Sequence, residues 1–378
     1  MGTRGVPAAY GGFETAVEEI GRRLSTRGHR VTVYCRGDSQ VGSEYLGMER
    51  VELPAVQKKS LETLSHTALS VGHSLRDRPD VAFVFNAANS PFLPALRAAR
   101  VPVALHMDGL EWRRSKWGRV GKKFYRTAEL LGVRAADALI ADSPGISDYY
   151  KHQFGATTEL ITYGAPQLHN AEEEGVRNLG LAPNGYHLVV ARFEPENHVR
   201  EIVEGYTKST SSLPLVVVGS APYSEDYTSE IQSLASSDQR IRLLGAVYQQ
   251  DLLDALYFHA FTYVHGHSVG GTNPSLLRAI AAGTAVLAYD VSFNRAVVDD
   301  HGWFFRTADE VASAFASAED SPEQVAEVAS FVRDHAARNY TWDEVALKYE
   351  DLAERLHAGY SARSDNRKAR RSSIEWTV

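Results

Sequence analysis

A single cysteine, Cys35, occurs in the 378 residues. An internal disulfide and any cysteine-built metal cluster are therefore excluded. None of the 14 histidines falls in an H-E-x-x-H pair, so a zincin site has no support. The G-x-G-x-x-G dinucleotide fingerprint is missing, as is any Asp-x-Asp triplet that would argue for a metal. No secretory leader and no apolar stretch long enough to span a bilayer can be read, so the cytoplasm is the expected location. Lys plus Arg number 40 against 47 Asp plus Glu, a net charge of −7. That balance gives no global basic field, and nucleic acid is not an expected partner.

Apolar residues at 44% and charged residues at 23% describe an ordinary globular chain, and its length implies two or three domains. Phe13, Ala16, Val17, Ile20 and Leu24 recur at helical spacing, predicting a helix from Gly12 to about Thr26 that Gly28 ends. Strands are expected at 30–35, 81–85, 101–105 and 138–141, separated by helices near 61–76, 91–99 and 119–134. Residues 167–184 are acidic and aperiodic and read as a linker or domain edge. A second alternating series places strands at 186–192, 213–219, 241–244, 260–265 and 284–289. Alternation of this kind predicts parallel sheets covered on both faces, α/β in class. The expected domains are 1–166, 183–340, a helix at 341–360 opened by the Thr341–Glu344 capping box, and a disordered basic tail at 361–378. Two such halves place the ligand in the crevice between them. The chain opens on the loop Gly2-Thr-Arg-Gly5, which a buried strand would normally aim. Either that first strand is missing because the start codon lies downstream of the true one, or the amino end is short by nature.

Two glycine-rich loops lead into helices. Gly2-Thr-Arg-Gly5 with Gly11 and Gly12 forms the first, and Gly270-Gly-Thr-Asn273 the second. Bare amides at a helix start favour an anion such as a diphosphate, although glycines that merely make tight turns would look the same. Asn273 is a good N-cap, Pro274 suits the first helical position and Gly283 the C-cap, so a helix is expected over 274–282. Arg192, at a strand end, would supply the cation for a diphosphate, or it is simply structural.

The strings G-T-R-G-V-P-A-x-Y-G-G-F-E-T, D-G-L-E-W and V-G-G-T-N-P-S-L-L resemble family 4 glycosyltransferases of the GT-B fold. Within them they look like the branch that includes rhamnosyltransferases of capsule and cell-wall polysaccharide assembly. The resemblance runs from residue 2 to about 357. It implies two Rossmann-like domains facing across a cleft, with the last helix crossing back to the first domain. It also implies a nucleoside-diphosphate sugar donor (dTDP- or UDP-linked), a glycan or lipid-linked acceptor, retention of anomeric configuration, and no cofactor or metal. On the matching positions, His106 lies near the transferred sugar, with Asp108 and Glu111 orienting hydroxyls. Gly11 and Gly12 approach the donor phosphate and acceptor. Arg192 binds phosphate, and Gly270, Gly271, Thr272 and Asn273 present amides to the donor. Charge that develops on a departing diphosphate is stabilised by an arginine and fixed amides in a dry site.

Two donor-side positions depart from the family pattern. Its paired glutamates fall on Gly270 and Arg278, and its phosphate-binding lysine on Asn197. The charge reversal at Arg278 fits a deoxyribose donor with fewer hydroxyls to hold, or else a catalytically silent homologue that binds a sugar nucleotide or a partner. Finally, Arg113, Arg114, Lys116, Lys122 and Lys123 interleave with Trp112 and Trp117. This run reads either as a solvated basic helix face or as a contact with the inner face of the plasma membrane.

Overall fold

The computed structural model describes residues 1–8, 11–37, 41–57, 61–107, 109–166, 168–220 and 225–366. The chain divides into two compact units, Met1–Gly164 with Trp342–Val378, and Ala165–Thr341.

The first unit contains α1 (Gly12–Thr26), β1 (Thr32–Arg36), β2 (Glu44–Tyr45), β3 (Met48–Leu53), α2 (Glu62–Ser74) and β4 (Ala82–Phe85). It continues with α3 (Leu93–Ala98), β5 (Val103–His106), α4 (Arg119–Ala135), β6 (Ala138–Ala141), α5 (Pro144–Phe154) and β7 (Glu159–Leu160). Its strands form two sheets, β1-β3-β2 and the all-parallel β4-β5-β6-β7. Val103, Ala104, Leu105, Leu139 and Ile140 are at most 1% exposed, as expected of strands covered on both faces. Ser143 caps α5 by accepting the Ile146 amide, Pro144 opens the helix, and Gly155 closes it at φ 64°.

The second unit carries α6 (Glu174–Asn178), β8 (His187–Val190), α7 (Val199–Lys208), β9 (Leu215–Val218), α8 (Glu225–Ser236), β10 (Ile241–Gly245) and α9 (Gln250–Phe258). Then follow β11 (Thr262–His265), α10 (Pro274–Ala282), β12 (Ala285–Tyr289), α11 (Ser292–Val298), β13 (Trp303–Phe305), α12 (Ala308–Asp320) and α13 (Pro322–Asn339). The sheet is wholly parallel in the order β10-β9-β8-β11-β12-β13. In order of appearance that is 3-2-1-4-5-6, the doubly wound dinucleotide-fold arrangement, whose switch point lies between β8 and β11. A polar clamp pins the sheet to α12. The buried His187 lies 2.7 Å from Thr262 Oγ1 and 3.0 Å from Glu319 Oε1, and Glu319 also accepts the Ser212 and Leu213 amides.

After Thr341 the chain returns to the first unit as α14 (Trp342–His357), where the Thr341–Glu344 pattern places it. Arg27 and His29, just beyond α1, meet Glu350 of α14 at 2.6 and 2.7 Å. Phe83 packs on Tyr349 with ring centroids 5.1 Å apart. The expected disordered tail is corrected for 361–366, where α15 (Arg363–Asn366) forms. Ala362 and Asn366 are buried, the Ala362 amide donates to the Asp137 carbonyl, and Asn366 Oδ1 accepts the Thr157 amide. Buried Ala362 and these two hydrogen bonds, with a further one from Ser361 Oγ to Asp137 Oδ1 at 2.8 Å, dock this segment; residues 367–378 of the expected tail lie outside the described residues. The stretch expected as a linker also contributes structure, since α6 packs on α9 with Val176 fully buried.

Candidate active site

In the second unit the loops after β8 and β11 meet at the switch point. His198 adopts a left-handed conformation at φ 49°, and its Nδ1 donates to the Gly266 carbonyl at 2.8 Å. Its ring stacks on Tyr289 at 4.0 Å. The Ser268 amide donates to the Glu196 carbonyl at 2.9 Å, and Asn294 Nδ2 to the His267 carbonyl. A Cβ on Gly266 would stand 2.1 Å from the Asn197 carbonyl oxygen, so only glycine lets these loops approach. These bonds fix the stretch from Gly266 to Asn273. Gly270 sits at φ 144° with open space where a side chain would be, and Thr272 is buried. Asn273 Oδ1 accepts the Ser275 amide at 2.9 Å and so caps α10, with Pro274 first and Gly283 closing the helix at φ 72°. The glycine-bearing turn and the positive start of α10 form a region receptive to anions.

Arg192 follows β8 with its side chain 46% exposed and Nη1 3.5 Å from Glu194 Oε1. Its guanidinium is available to an anion that outcompetes one loosely placed carboxylate. Asn197 does not present its side chain, because it is 2% exposed and its Nδ2 donates to the Arg192 carbonyl at 2.8 Å. The donor contact expected of Asn197 gives way to shaping the loop that carries Arg192. Arg278, on α10, is paired through Nη1 with Asp254 of α9, which also accepts Gln250 Nε2 at 2.9 Å. Buried among these strands, His265 leaves Nε2 without a hydrogen-bond partner among the described residues.

In the first unit His106 ends β5 at 1% exposure. Its ring stacks on Phe85 and Tyr163 at 5.4 and 5.8 Å and takes the edge of Phe13 at 5.2 Å. Neither ring nitrogen has a hydrogen-bond partner among the described residues. Burial pushes its pKa down to about 3, so the imidazole is neutral at physiological pH. It suits a role as a neutral hydrogen-bonding group for a hydroxyl, and it cannot serve as a resident imidazolium acid. Phe13 belongs to the Gly11-Gly12-Phe13-Glu14 turn, so that turn and His106 are brought together.

The glycines of the first loop have a steric reason. A Cβ on Gly2 would lie 2.4 Å from the Phe85 carbonyl oxygen, and one on Gly5 2.6 Å from the Cys35 Cα. Glu14, buried in the first turn of α1, accepts the Arg4 amide at 2.9 Å. The start of α1 therefore already holds a carboxylate beside Gly11, and an arriving diphosphate would meet that charge. Sequence reading passed over Glu14, although a glutamate three residues past a helix start is the available signal. Phe85 and Tyr163 carried no signal at all.

Asp108 lies outside the described residues. Glu111 is engaged locally: Arg114 Nε lies at 2.7 Å, Lys116 Nζ at 2.8 Å, and Trp117 Nε1 donates at 3.1 Å. Burial works to raise its pKa, but these cations and hydrogen bonds outweigh it and hold the carboxyl below its usual range. Glu111 thus folds the basic loop, which competes with the hydroxyl-orienting role expected of it. Arg113 and Arg126 lie over the Trp112 ring at 5.4 and 4.1 Å, and Lys116 over Trp117 at 5.3 Å. Along α4, Val120 is 85% and Phe124 37% exposed one turn apart, with Lys123 exposed beside Lys122. No group of acidic, histidine or cysteine side chains able to hold a metal occurs among the described residues.

Residues 1–166 match a domain of unknown function (DUF1972), and residues 179–334 match the family described as glycosyl transferases group 1. No curated protein matches the chain in sequence. Among solved structures, sucrose-phosphate synthase from Thermosynechococcus elongatus is similar at 18% identity and a TM-score of 0.79, over 92% of this chain and 94% of that one. Anabaena HepE in complex with UDP-glucose is similar at 16% identity and a TM-score of 0.75, over 93% and 98%. A glycosyltransferase from Rickettsia africae gives 13% identity and a TM-score of 0.72, over 94% and 98%. The chain has the GT-B fold, and residues 179–334 carry a glycosyl transferases group 1 domain.

Proposed function

We propose that this protein is a retaining glycosyltransferase that moves a sugar, with rhamnose the first candidate, from a nucleoside-diphosphate donor to a glycan or lipid-linked acceptor in surface polysaccharide biosynthesis. The observation that carries the reading is the switch point of the second unit. There Arg192, the Gly270–Asn273 amides and the start of α10 sit on loops hydrogen-bonded to each other. Open parallel sheets bind their ligands outside the strand ends at such a point. That Anabaena HepE is known in complex with UDP and UDP-glucose supports the same ligand class here.

In this reading Arg192 and the amides take up the charge of the leaving diphosphate. The leaving phosphate accepts the proton of the incoming hydroxyl, so no metal and no second carboxylate are required. His106, neutral and held by three aromatic rings, hydrogen-bonds a hydroxyl of the transferred sugar. A thermal-shift and calorimetric series over dTDP-, UDP- and GDP-sugars tests the assignment. Stabilisation by one nucleotide class supports it, and no response to any at millimolar concentration rejects it.

Arg278, a cation where the family pattern carries a glutamate, motivates a second reading, a silent homologue that binds a sugar nucleotide without transfer. Release of free nucleoside diphosphate from a bound donor separates the two.

The exposed Val120 and Phe124, flanked by Lys116 and Lys123, support peripheral attachment to anionic membrane on the cytoplasmic side, each basic residue contributing about 1 kcal/mol. Flotation with liposomes containing phosphatidylglycerol, at low and high salt, checks this; equal recovery without the anionic lipid rejects it.

A further inference from the structure

Strands covered on both faces normally read as apolar runs, as β9 does with Leu215-Val-Val-Val218. The neighbouring β11 departs from that pattern with Tyr263 and His265, both fully buried and two positions apart on one face. Phenylalanine and valine would fill the space without burying a hydroxyl or a ring nitrogen. Departures of this kind concentrate at functional sites, and here a chain of hydrogen bonds leads from His265 to the donor turn.

His265 Nδ1 lies 3.1 Å from the Tyr263 hydroxyl, which lies 3.0 Å from Ser275 Oγ, itself 2.8 Å from Asn273 Oδ1. The chemistry of each group fixes where the hydrogens go. The Ser275 amide donates to the Asn273 side chain at 2.9 Å, so that corner of the carboxamide is its oxygen. An oxygen there has no hydrogen to give, so the Ser275 hydroxyl donates to it. The one hydrogen of Ser275 Oγ is then used, and Tyr263 must donate to Ser275. In its contact with His265 the Tyr263 oxygen can then only accept, so Nδ1 carries the N–H of the ring. Burial drives the His265 pKa down to about 3, so the ring is neutral and Nε2 is bare. That nitrogen has no hydrogen-bond partner among the described residues.

At the other end of the chain, Asn273 Oδ1 holds two hydrogen bonds from Ser275, and the two N–H groups of Nδ2 occupy the opposite corner. They meet no acceptor among the described residues, and Asn273 is half-buried, in the turn where Gly270 has open space around it. Capping α10 requires none of the buried chain, since an asparagine, aspartate or serine suffices for that. We propose that Tyr263 and Ser275 are positioning residues for donor binding: with His265 they hold the Asn273 carboxamide in the one sense that leaves its Nδ2 to donate to a diphosphate oxygen. That role rests on the nucleoside-diphosphate site proposed above and adds a side-chain donor to its backbone amides and Arg192.

Calorimetric titration of the full chain with UDP, dTDP and GDP tests the assignment. Asparagine and serine cap helices about equally, so Asn273→Ser should melt with the wild type. It removes both Nδ2 donors without adding charge, and the Kd of the nucleotide that the wild type binds should rise about tenfold. Tyr263→Phe should weaken the same nucleotide about three- to fivefold, and only while Asn273 is present. In the Asn273→Ser background it should change Kd by less than about 1.5-fold, because no carboxamide is left to orient. A purely structural tyrosine would give the same loss in both backgrounds. Should Tyr263→Phe fail to fold, Ser275→Ala takes its place in the cycle. Wild-type binding by Asn273→Ser, or equal Tyr263→Phe losses in both backgrounds, overturns the proposal while the diphosphate site stands. A wild-type protein that binds none of the three nucleotides at millimolar concentration overturns the site itself, and this role with it.

Discussion

Replacing Arg192 by alanine isolates the diphosphate contact, because the side chain does little else. Nearly half of it is exposed, and its ion pair with Glu194 is long at 3.5 Å. Exposed pairs contribute about 0–1 kcal/mol, so Arg192→Ala should leave the thermal midpoint almost unchanged. Its hydrogen bonds to a charged phosphate are worth more, about 1.5–3 kcal/mol. Partial exposure places the effect near the lower figure, or roughly a tenfold weaker Kd for UDP or dTDP. Calorimetry at low ionic strength measures it.

Two companion variants sharpen the expectation. Arg192→Lys retains the charge but loses the planar fork, and should recover only part of the loss. Glu194→Gln removes the competing carboxylate and should tighten binding by up to about fivefold. Raising salt to 1 M shortens the screening length to about 3 Å and should narrow the gap between wild type and Arg192→Ala. A folded Arg192→Ala protein that binds nucleotide within twofold of wild type at low salt would refute the reasoning.

Glu319→Ala should destabilise the second unit by about 2–4 kcal/mol in thermal melts at pH 7, since it strands His187 and the Ser212 and Leu213 amides. Burial raises the Glu319 pKa, but hydrogen bonds from His187, Ser211 and Ser212 outweigh it and hold it well below the usual carboxylate range. A depressed folded pKa gives stability that is present above the unfolded value and lost as pH falls, so the two proteins should converge below about pH 4. His106→Phe keeps the ring stack and removes the nitrogens; transfer should drop about a hundredfold with the melting point preserved, in a donor-consumption assay. With a folded pKa of about 3 against an ordinary 6.5, His106 favours the fold above pH 6.5 and loses that contribution as pH falls. It should add no inflection to the transfer rate between pH 7 and 9. Gly205→Ala should cost about 1–3 kcal/mol in denaturant midpoints, since its Cβ would stand 2.4 Å from the Ala308 carbonyl oxygen between α7 and α12.

How much of this was readable from sequence varied with how locally each feature is encoded. The second unit was legible because its parallel strands are buried on both faces, and runs such as Leu215-Val-Val-Val218 announce themselves. The helix α10 was legible to the residue because cap, first-turn proline and closing glycine all lie within eleven positions. Strands β2, β7 and β13 escaped because two or three residues carry no period. In β3, Arg50 is buried against the Val6 carbonyl and breaks the apolar pattern. The ring cage of His106 was out of reach, since Phe13, Phe85 and Tyr163 meet only through the fold.

Arg278 shows the same limit from the donor side. Read along the chain, an arginine at that position reverses a charge and looks like a lesion. In the fold it is matched by Asp254, a carboxylate from a different helix, so the pair adds no net charge there. The argument from Arg278 for a silent protein therefore weakens, because a carboxylate of α9 stands against the arginine. The pair itself becomes the quantity to test. Arg278→Glu would set two carboxylates together and should lower stability, whereas Arg278→Glu combined with Asp254→Arg restores the pair in the opposite sense. If the double exchange regains stability and tightens donor binding, it is the placement of the carboxylate that governs the nucleoside end. If it regains stability alone, Arg278 and Asp254 serve only the packing of α9 on α10.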